Sequence, residues 1–132
     1  MKATVSWQSE MRFVGKTDTG KILEMDGDKE SDIVSPMESV LLAVGACSAI
    51  DVVDILKKSR QQISYCECEL SAERAEEAPR VFTTIHAHYI IKGEKVSEKH
   101  VARAVQLSAE KYCSVMLMIE KKVVITTSFV IQ

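Results

Sequence analysis

Short runs of alternating polar and apolar residues open the chain, at Ala3 to Trp7, Met11 to Gly15 and Lys21 to Met25. Thr17-Asp18-Thr19-Gly20 and Asp26-Gly27-Asp28 separate them, so the pattern predicts a short antiparallel meander. The pattern changes at Ser35. This residue can cap a helix, Pro36 suits the first helical position, and Glu38, three residues after the cap, completes a capping box. Apolar residues from Met37 through Val40, Val44, Cys47 and Ile50 to Ile55 then run nearly all the way round the helix, which predicts burial on most sides and an end near Ser59.

Ile63 to Glu73 alternates, with Cys66, Cys68, Leu70 and Ala72 on one face and Glu67, Glu69, Ser71 and Glu73 on the other. Val81 to Ile91, rich in β-branched residues, is predicted to pair with it as a hairpin that Lys92-Gly93-Glu94 closes. Ser97 is the predicted cap of a second helix, its inward stripe being Val101, Ala104, Val105, Ser108 and Tyr112, with Lys99, Arg103, Gln106 and Glu110 facing water. A short apolar run from Ser114 to Ile119 reads as a further helical turn or two, and Val123 to Ile131 as a last strand. Strands, helix, strands, helix, strand is an α+β layout.

At 132 residues the chain is expected to form a single domain over 1–132. Hydrophobic residues are 46% of the chain and Gly plus Pro number seven, which excludes disorder and collagen-like architecture. Seventeen Lys and Arg against 19 Asp and Glu, with no block of like charge, leave no electrostatic footprint for nucleic acid or an anionic membrane. The charge-free stretch of the first helix, Ser39 to Ile50, falls short of the roughly 20 residues a membrane span needs. No secretory pattern marks the start, so a cytoplasmic location is expected.

The four cysteines are then expected in a reducing compartment, as core filler, metal ligands or redox groups. Cys66 and Cys68, on one strand face beside Leu70, read as small core hydrophobes. Cys47 lies mid-helix next to Gly45 and Ala46, and Cys113 follows the amphipathic helix; periodicity alone favours core packing for Cys47 and does not pair the two. His86 and His88 have a chelating HxH spacing without a third ligand at a recognisable interval, so they read as solvent-facing strand residues and no metal is expected.

Ser35-Pro36-Met37-Glu38 with Leu41, Leu42, Ala43, Gly45 and Cys47, and later Glu110-Lys111-Tyr112-Cys113-Ser114-Val115, resemble the OsmC/Ohr family of hydroperoxide-reducing proteins. The stretches SAIDVVDILKK and SAEKYCSV bring the chain nearest to that family's small YhfA-like subgroup. The resemblance implies an OsmC-like fold, with antiparallel sheets around a buried central helix and an intertwined cytoplasmic homodimer bearing two interface sites. It also implies a hydroperoxide reductase of peroxiredoxin-like activity, connected with the oxidative stress response and needing no cofactor. Cys47 would attack the peroxide and become a sulfenic acid, Cys113 would resolve it as a disulfide, and a dithiol reductant would restore the pair. An Arg that lowers the thiol's pKa and a Glu that holds this Arg complete the family's site.

The residues depart from that pattern at both supporting positions. Met37 stands where the peroxidases carry the orienting Glu, and the substitute, Glu38, is nine residues before Cys47, half a turn round the helix and about 13 Å away along its axis. The capping box accounts for Glu38 without any catalytic role. Arg12 is nearest to the family's Arg position, and Arg103 is an alternative cation. Asp51, one helical turn after Cys47, opposes thiolate formation unless a base pairs with it. Two functions therefore follow: a thiol peroxidase acting on organic or inorganic hydroperoxides through Cys47, Cys113, Arg12 and Glu38, or a non-catalytic dimer of the same fold that binds an apolar small molecule at its interface.

Overall fold

The computed structural model describes residues Met1–Gln132, which fall into two compact units, Met1–Leu41 and Leu42–Gln132. The first unit is a three-stranded antiparallel meander of β1 (Ala3–Ser9), β2 (Arg12–Thr17) and β3 (Ile22–Asp26), as the alternation predicts. Arg12 faces Asp26 across the β2–β3 ladder. Helix α1 (Pro36–Lys58) begins in this unit with the expected reciprocal cap: the Ser35 N–H donates to Glu38 Oε2 at 2.7 Å, and the Glu38 N–H donates to Ser35 Oγ at 3.2 Å.

The second unit holds the rest of α1 and a second sheet in the order β4 (Gln62–Arg74), β5 (Phe82–Glu94), β6 (Val124–Ile131). The hairpin of β4 and β5 is antiparallel, with Cys66 opposite Ile91, Cys68 opposite Tyr89 and Leu70 opposite Ala87. The β6 strand pairs with β5 in parallel, so the sheets are not antiparallel throughout. The connection explains this: α2 (Glu98–Leu107) and α3 (Ser114–Ile119) intervene and carry the chain back before β6 starts, as a parallel pairing requires. Phe82, Ile85, Ala87, Tyr89 and Ile91 form the buried face of β5. Val44, Val52 and Leu56 of α1, Val101, Ala104 and Val105 of α2, and Met116 of α3 are buried in the same unit.

The hairpin continues to Glu94 instead of closing at Lys92, because Gly93 pairs with Ile63 beside a bulge. A Cβ at Gly93 would lie 2.1 Å from the Gln62 carbonyl oxygen and 2.8 Å from the Ile63 Cα, so glycine alone fits there. Gly45 serves a similar approach on α1, where a Cβ would meet Leu70 Cδ1 at 2.6 Å.

Burial of α1 on most sides is not what the chain adopts. Val44, Gly45, Ser48, Val52 and Leu56 form one buried stripe, whereas Leu42 is 55% and Ile50 68% exposed. One chain supplies packing partners for only that stripe, through β4 and β5, so the apolar character of the remaining face exceeds what the fold of one chain uses. The helix has 23 residues, and its most apolar window has a mean hydropathy of 2.0, so it passes the length and composition of a membrane span that its charge-free stretch alone does not reach. Its packing against β4 and β5 and its hydrogen bonds into the core are those of a helix in an α+β fold.

Candidate active site

The site is built from α1, β5 and the segment after α2, and a change of helical pitch creates it. Ser108–Tyr112 form a π-turn, in which the Cys113 N–H reaches back five residues to the Ser108 carbonyl at 2.8 Å. The wider ring advances the chain past its α phase. Tyr112, expected on the inward stripe, is turned outward and is 51% exposed, and Cys113 takes the interior place at 0%. The rest of the stripe, Val101, Ala104, Val105 and Ser108, is buried as predicted. Ser97 occupies the predicted cap position without a side-chain bond to the helix; its N–H donates instead to Gln61 Oε1 at 2.9 Å.

Cys113 caps α3, and its Sγ accepts the Met116 N–H at 3.5 Å. The Cys47 thiol on α1 is near enough to act on the ionisation of Cys113, and both are free thiols. Burial pushes the Cys113 thiol up to about 11; the Met116 N–H lowers it, while Cys47 and the negative charge of Asp51 raise it.

Beside the thiols runs a buried chain of hydroxyls. Ser48, directly after Cys47, bonds Tyr89 Oη of β5, and its Oγ is 2.8 Å from Ser108 Oγ. Ser108 in turn donates to Asp51 Oδ2 at 3.0 Å. A carboxylate accepts only, so the Ser108 hydrogen points to Asp51, the Ser48 hydrogen to Ser108, and the Tyr89 hydrogen to Ser48. Ser48, Ser108 and Tyr89 are all fully buried, and no buried side-chain nitrogen or oxygen lacks a partner. Asp51 thus bonds a neutral hydroxyl and not the base that its place near Cys47 suggests. Burial pushes the Cys68 thiol, opposite Tyr89 in the β4–β5 ladder, up to about 11, and it raises Cys66 as well. Cys66, Cys68, Leu70 and Ala72 share the half-buried face of β4, in agreement with their reading as small apolar groups.

Arg12 Nε is 3.9 Å from Asp26 Oδ2, so Arg12 is held by an aspartate of its own sheet. The Glu38 carboxylate is engaged by the Ser35 N–H, which lowers its pKa, and its geometry is that of the cap. The Arg–Glu clasp of the hydroperoxide reductases is therefore not formed by Arg12 and Glu38. Arg103 is exposed on α2.

His86 and His88 are not simply solvated. Both are half-buried, with His86 between Thr126 Oγ1 at 2.7 Å and Ser128 Oγ at 2.8 Å, and His88 2.7 Å from Ser128 Oγ. No group of three or more His, Cys, Asp or Glu has the arrangement of a metal site. Neither Ser48 nor Tyr89 belongs to a catalytic or metal-binding motif in the sequence. A serine on an otherwise apolar helix face next to a cysteine was the available signal.

A family model described as OsmC-like protein matches residues 27–128. Protein YhfA of Escherichia coli (strain K12) is 53% identical over 129 residues, covering 98% of this chain and 96% of its own length. Among solved structures, a hypothetical protein from Aquifex aeolicus VF5 is 34% identical with a TM-score of 0.89, over 99% of this chain and 95% of that one. An organic hydroperoxide resistance protein from Elizabethkingia anophelis shares the fold at 14% identity, with a TM-score of 0.72 over 98% of this chain and 94% of its own. Motif residues, architecture and relatives agree, and the chain belongs to the OsmC-like protein family.

Proposed function

We propose that this protein is a thiol-dependent peroxidase that reduces organic or inorganic hydroperoxides through Cys47 and Cys113. The observation that carries the reading is the bonding of Ser108 to Ser48 and Asp51, which sets the turn before Cys113 against the turn of α1 that bears Cys47, two free thiols 66 positions apart in sequence. Cys47, as thiolate, attacks the distal peroxide oxygen; the O–O bond breaks, an alcohol or water leaves, and Cys47 becomes a sulfenic acid. Cys113 then attacks the sulfenic sulfur, forming the disulfide and releasing water, and an external dithiol reduces the pair. The organic hydroperoxide resistance proteins of the same fold support this class of substrate. The exposed apolar face of α1, with Leu42 and Ile50, supports a working homodimer, and four free cysteines support a reducing, cytoplasmic setting and a place in the oxidative stress response. Within the dimer a cation other than one clasped by Glu38 would serve the thiolate.

Cumene hydroperoxide and hydrogen peroxide, each with a lipoyl or other dithiol reductant, test this. Loss of Cys47 thiol titre and an intramolecular 47–113 disulfide on mass spectrometry are the expected results. A wild-type protein inert to both peroxides would falsify the reading. One observation favours a second function, apolar small-molecule binding without catalysis: an open groove of about 510 Å³ beside α1 is lined by Ala46, Ala49, Ile50, Val53 and Cys66, with Asp54 and Lys57 among its lining residues. A peroxide-inert dimer that retains an apolar ligand would establish it.

A further inference from the structure

Ser108 opens the π-turn and is fully buried. Its two functional groups reach in different directions. The carbonyl takes the Cys113 N–H at 2.8 Å, closing the widened ring. The hydroxyl lies 2.8 Å from Ser48 Oγ, donates to Asp51 Oδ2 at 3.0 Å, and is 3.3 Å from the Ser48 carbonyl oxygen. Ser48 follows Cys47 directly and Asp51 lies one turn further along α1. A single side chain therefore ties the turn that presents Cys113 to the turn that presents Cys47.

The chemistry of the position supports more than packing. Val101, Ala104 and Val105 occupy the same stripe with apolar side chains, so a methyl group would satisfy the core there. A buried hydroxyl is costly unless it is bonded, and this one is fully engaged on the helix that carries the other thiol. The π geometry itself is rare, and an α continuation would direct Tyr112 inward and leave Cys113 out of phase.

We propose that Ser108 is the positioning residue of the thiol pair: its hydroxyl, seated between Ser48 and Asp51, pins the π-turn to α1 and holds Cys113 in reach of Cys47. The inference deepens the peroxidase reading, and the step it serves is the resolving one. There the Cys113 sulfur bonds to the Cys47 sulfur, the S–O bond of the sulfenic acid breaks, and the departing hydroxide takes up the Cys113 proton as water. The same positioning governs any oxidation of the pair, so it can be tested without peroxide.

The full chain is equilibrated at pH 6 in mixtures of reduced and oxidised glutathione, and the 47–113 disulfide is quantified by mass spectrometry. In that exchange the two protein thiols lose two electrons and two protons to oxidised glutathione, giving two reduced glutathiones. Ser108→Ala is expected to lower the equilibrium constant about tenfold, the effect of losing one well-made buried hydrogen bond. Ser108→Thr, which keeps the hydroxyl, restores most of it. Asp51→Ala, at a half-exposed position that spares the core, lowers the constant as well, and Asp51→Asn, whose amide oxygen still accepts from Ser108, retains it. A wild-type constant in both Ser108→Ala and Asp51→Ala overturns the proposal; if Ser108→Ala fails to fold, the Asp51 pair decides. A wild-type protein that forms the disulfide in glutathione and yet ignores peroxides retires the peroxidase reading while positioning stands. A peroxide-active wild type matched by Ser108→Ala retires positioning alone, and a wild type that forms no disulfide retires both.

Discussion

The Asp51 carboxylate acts on Cys113 with its negative charge, in the same direction as the burial that pushes this thiol up to about 11. At neutral pH only about one Cys113 in ten thousand is then ionised. Alkylation of Cys113 with a small reagent should accelerate up to pH 11, with its midpoint above that of a free thiol. Asp51→Asn removes one raising influence, so the midpoint should move to lower pH. Rate against pH in the two proteins, with the modified cysteine located by mass spectrometry, measures this; an unchanged or higher midpoint contradicts the electrostatic account.

Raised thiols carry a stability consequence whose sign follows from proton counting. Cys113 and Cys68 are each pushed up to about 11, chiefly by burial. Between the free-thiol pKa of about 8.5 and 11 the unfolded chain releases protons that the folded chain keeps, so folding stability falls as pH rises. The stabilisation is complete below about pH 8 and lost through the window above it. Urea midpoints at pH 7, 9 and 10 should decline, and Cys68→Ala should flatten the decline at the cost of a lower midpoint at pH 7. A midpoint independent of pH across this range would show that the thiols ionise freely.

Gly93→Ala tests the bulge between β4 and β5. Its Cβ would fall 2.1 Å from the Gln62 carbonyl oxygen, a backbone atom that cannot rotate away. Overpacking of this kind costs about 1–3 kcal/mol, and the backbone contact places this substitution at the upper end. Thermal unfolding measures the loss. Gly45→Ala, which meets the movable end of Leu70, should cost less.

Cap and clasp roles for Glu38 separate cleanly. Ser35→Ala breaks the reciprocal cap and should cost about 1 kcal/mol of stability. Glu38→Gln keeps an acceptor for the Ser35 N–H, so stability at pH 7 should change little. If Glu38 only caps, peroxide-dependent thiol consumption is also unchanged in Glu38→Gln; a large fall in that rate without a fall in stability would restore an orienting role. Arg12 is bound to Asp26, so Arg12→Lys should leave the same rate unchanged.

The capping box at Ser35 and Glu38, the alternation at Cys66 to Ala72 and the order of elements were legible in the residues because each depends on neighbours within a turn or a pleat. The extent of α1 burial was not legible for a related reason: apolar residues round a helix do not record which faces the rest of the chain covers, and here it covers one stripe. His86 and His88 looked solvated because the hydroxyls that bond them lie on β6, 40 residues away in sequence.

By itself the sequence determined that an apolar helix bearing Cys47, an alternating hairpin and an amphipathic segment ending near Cys113 would form an α+β chain. Tertiary structure decided the site. Whether Tyr112 or Cys113 points inward depends on one residue of helical pitch, and what favours that pitch is the bonding of Ser108 to Ser48 and Asp51 across a distance of 57 to 60 residues, which no local periodicity records.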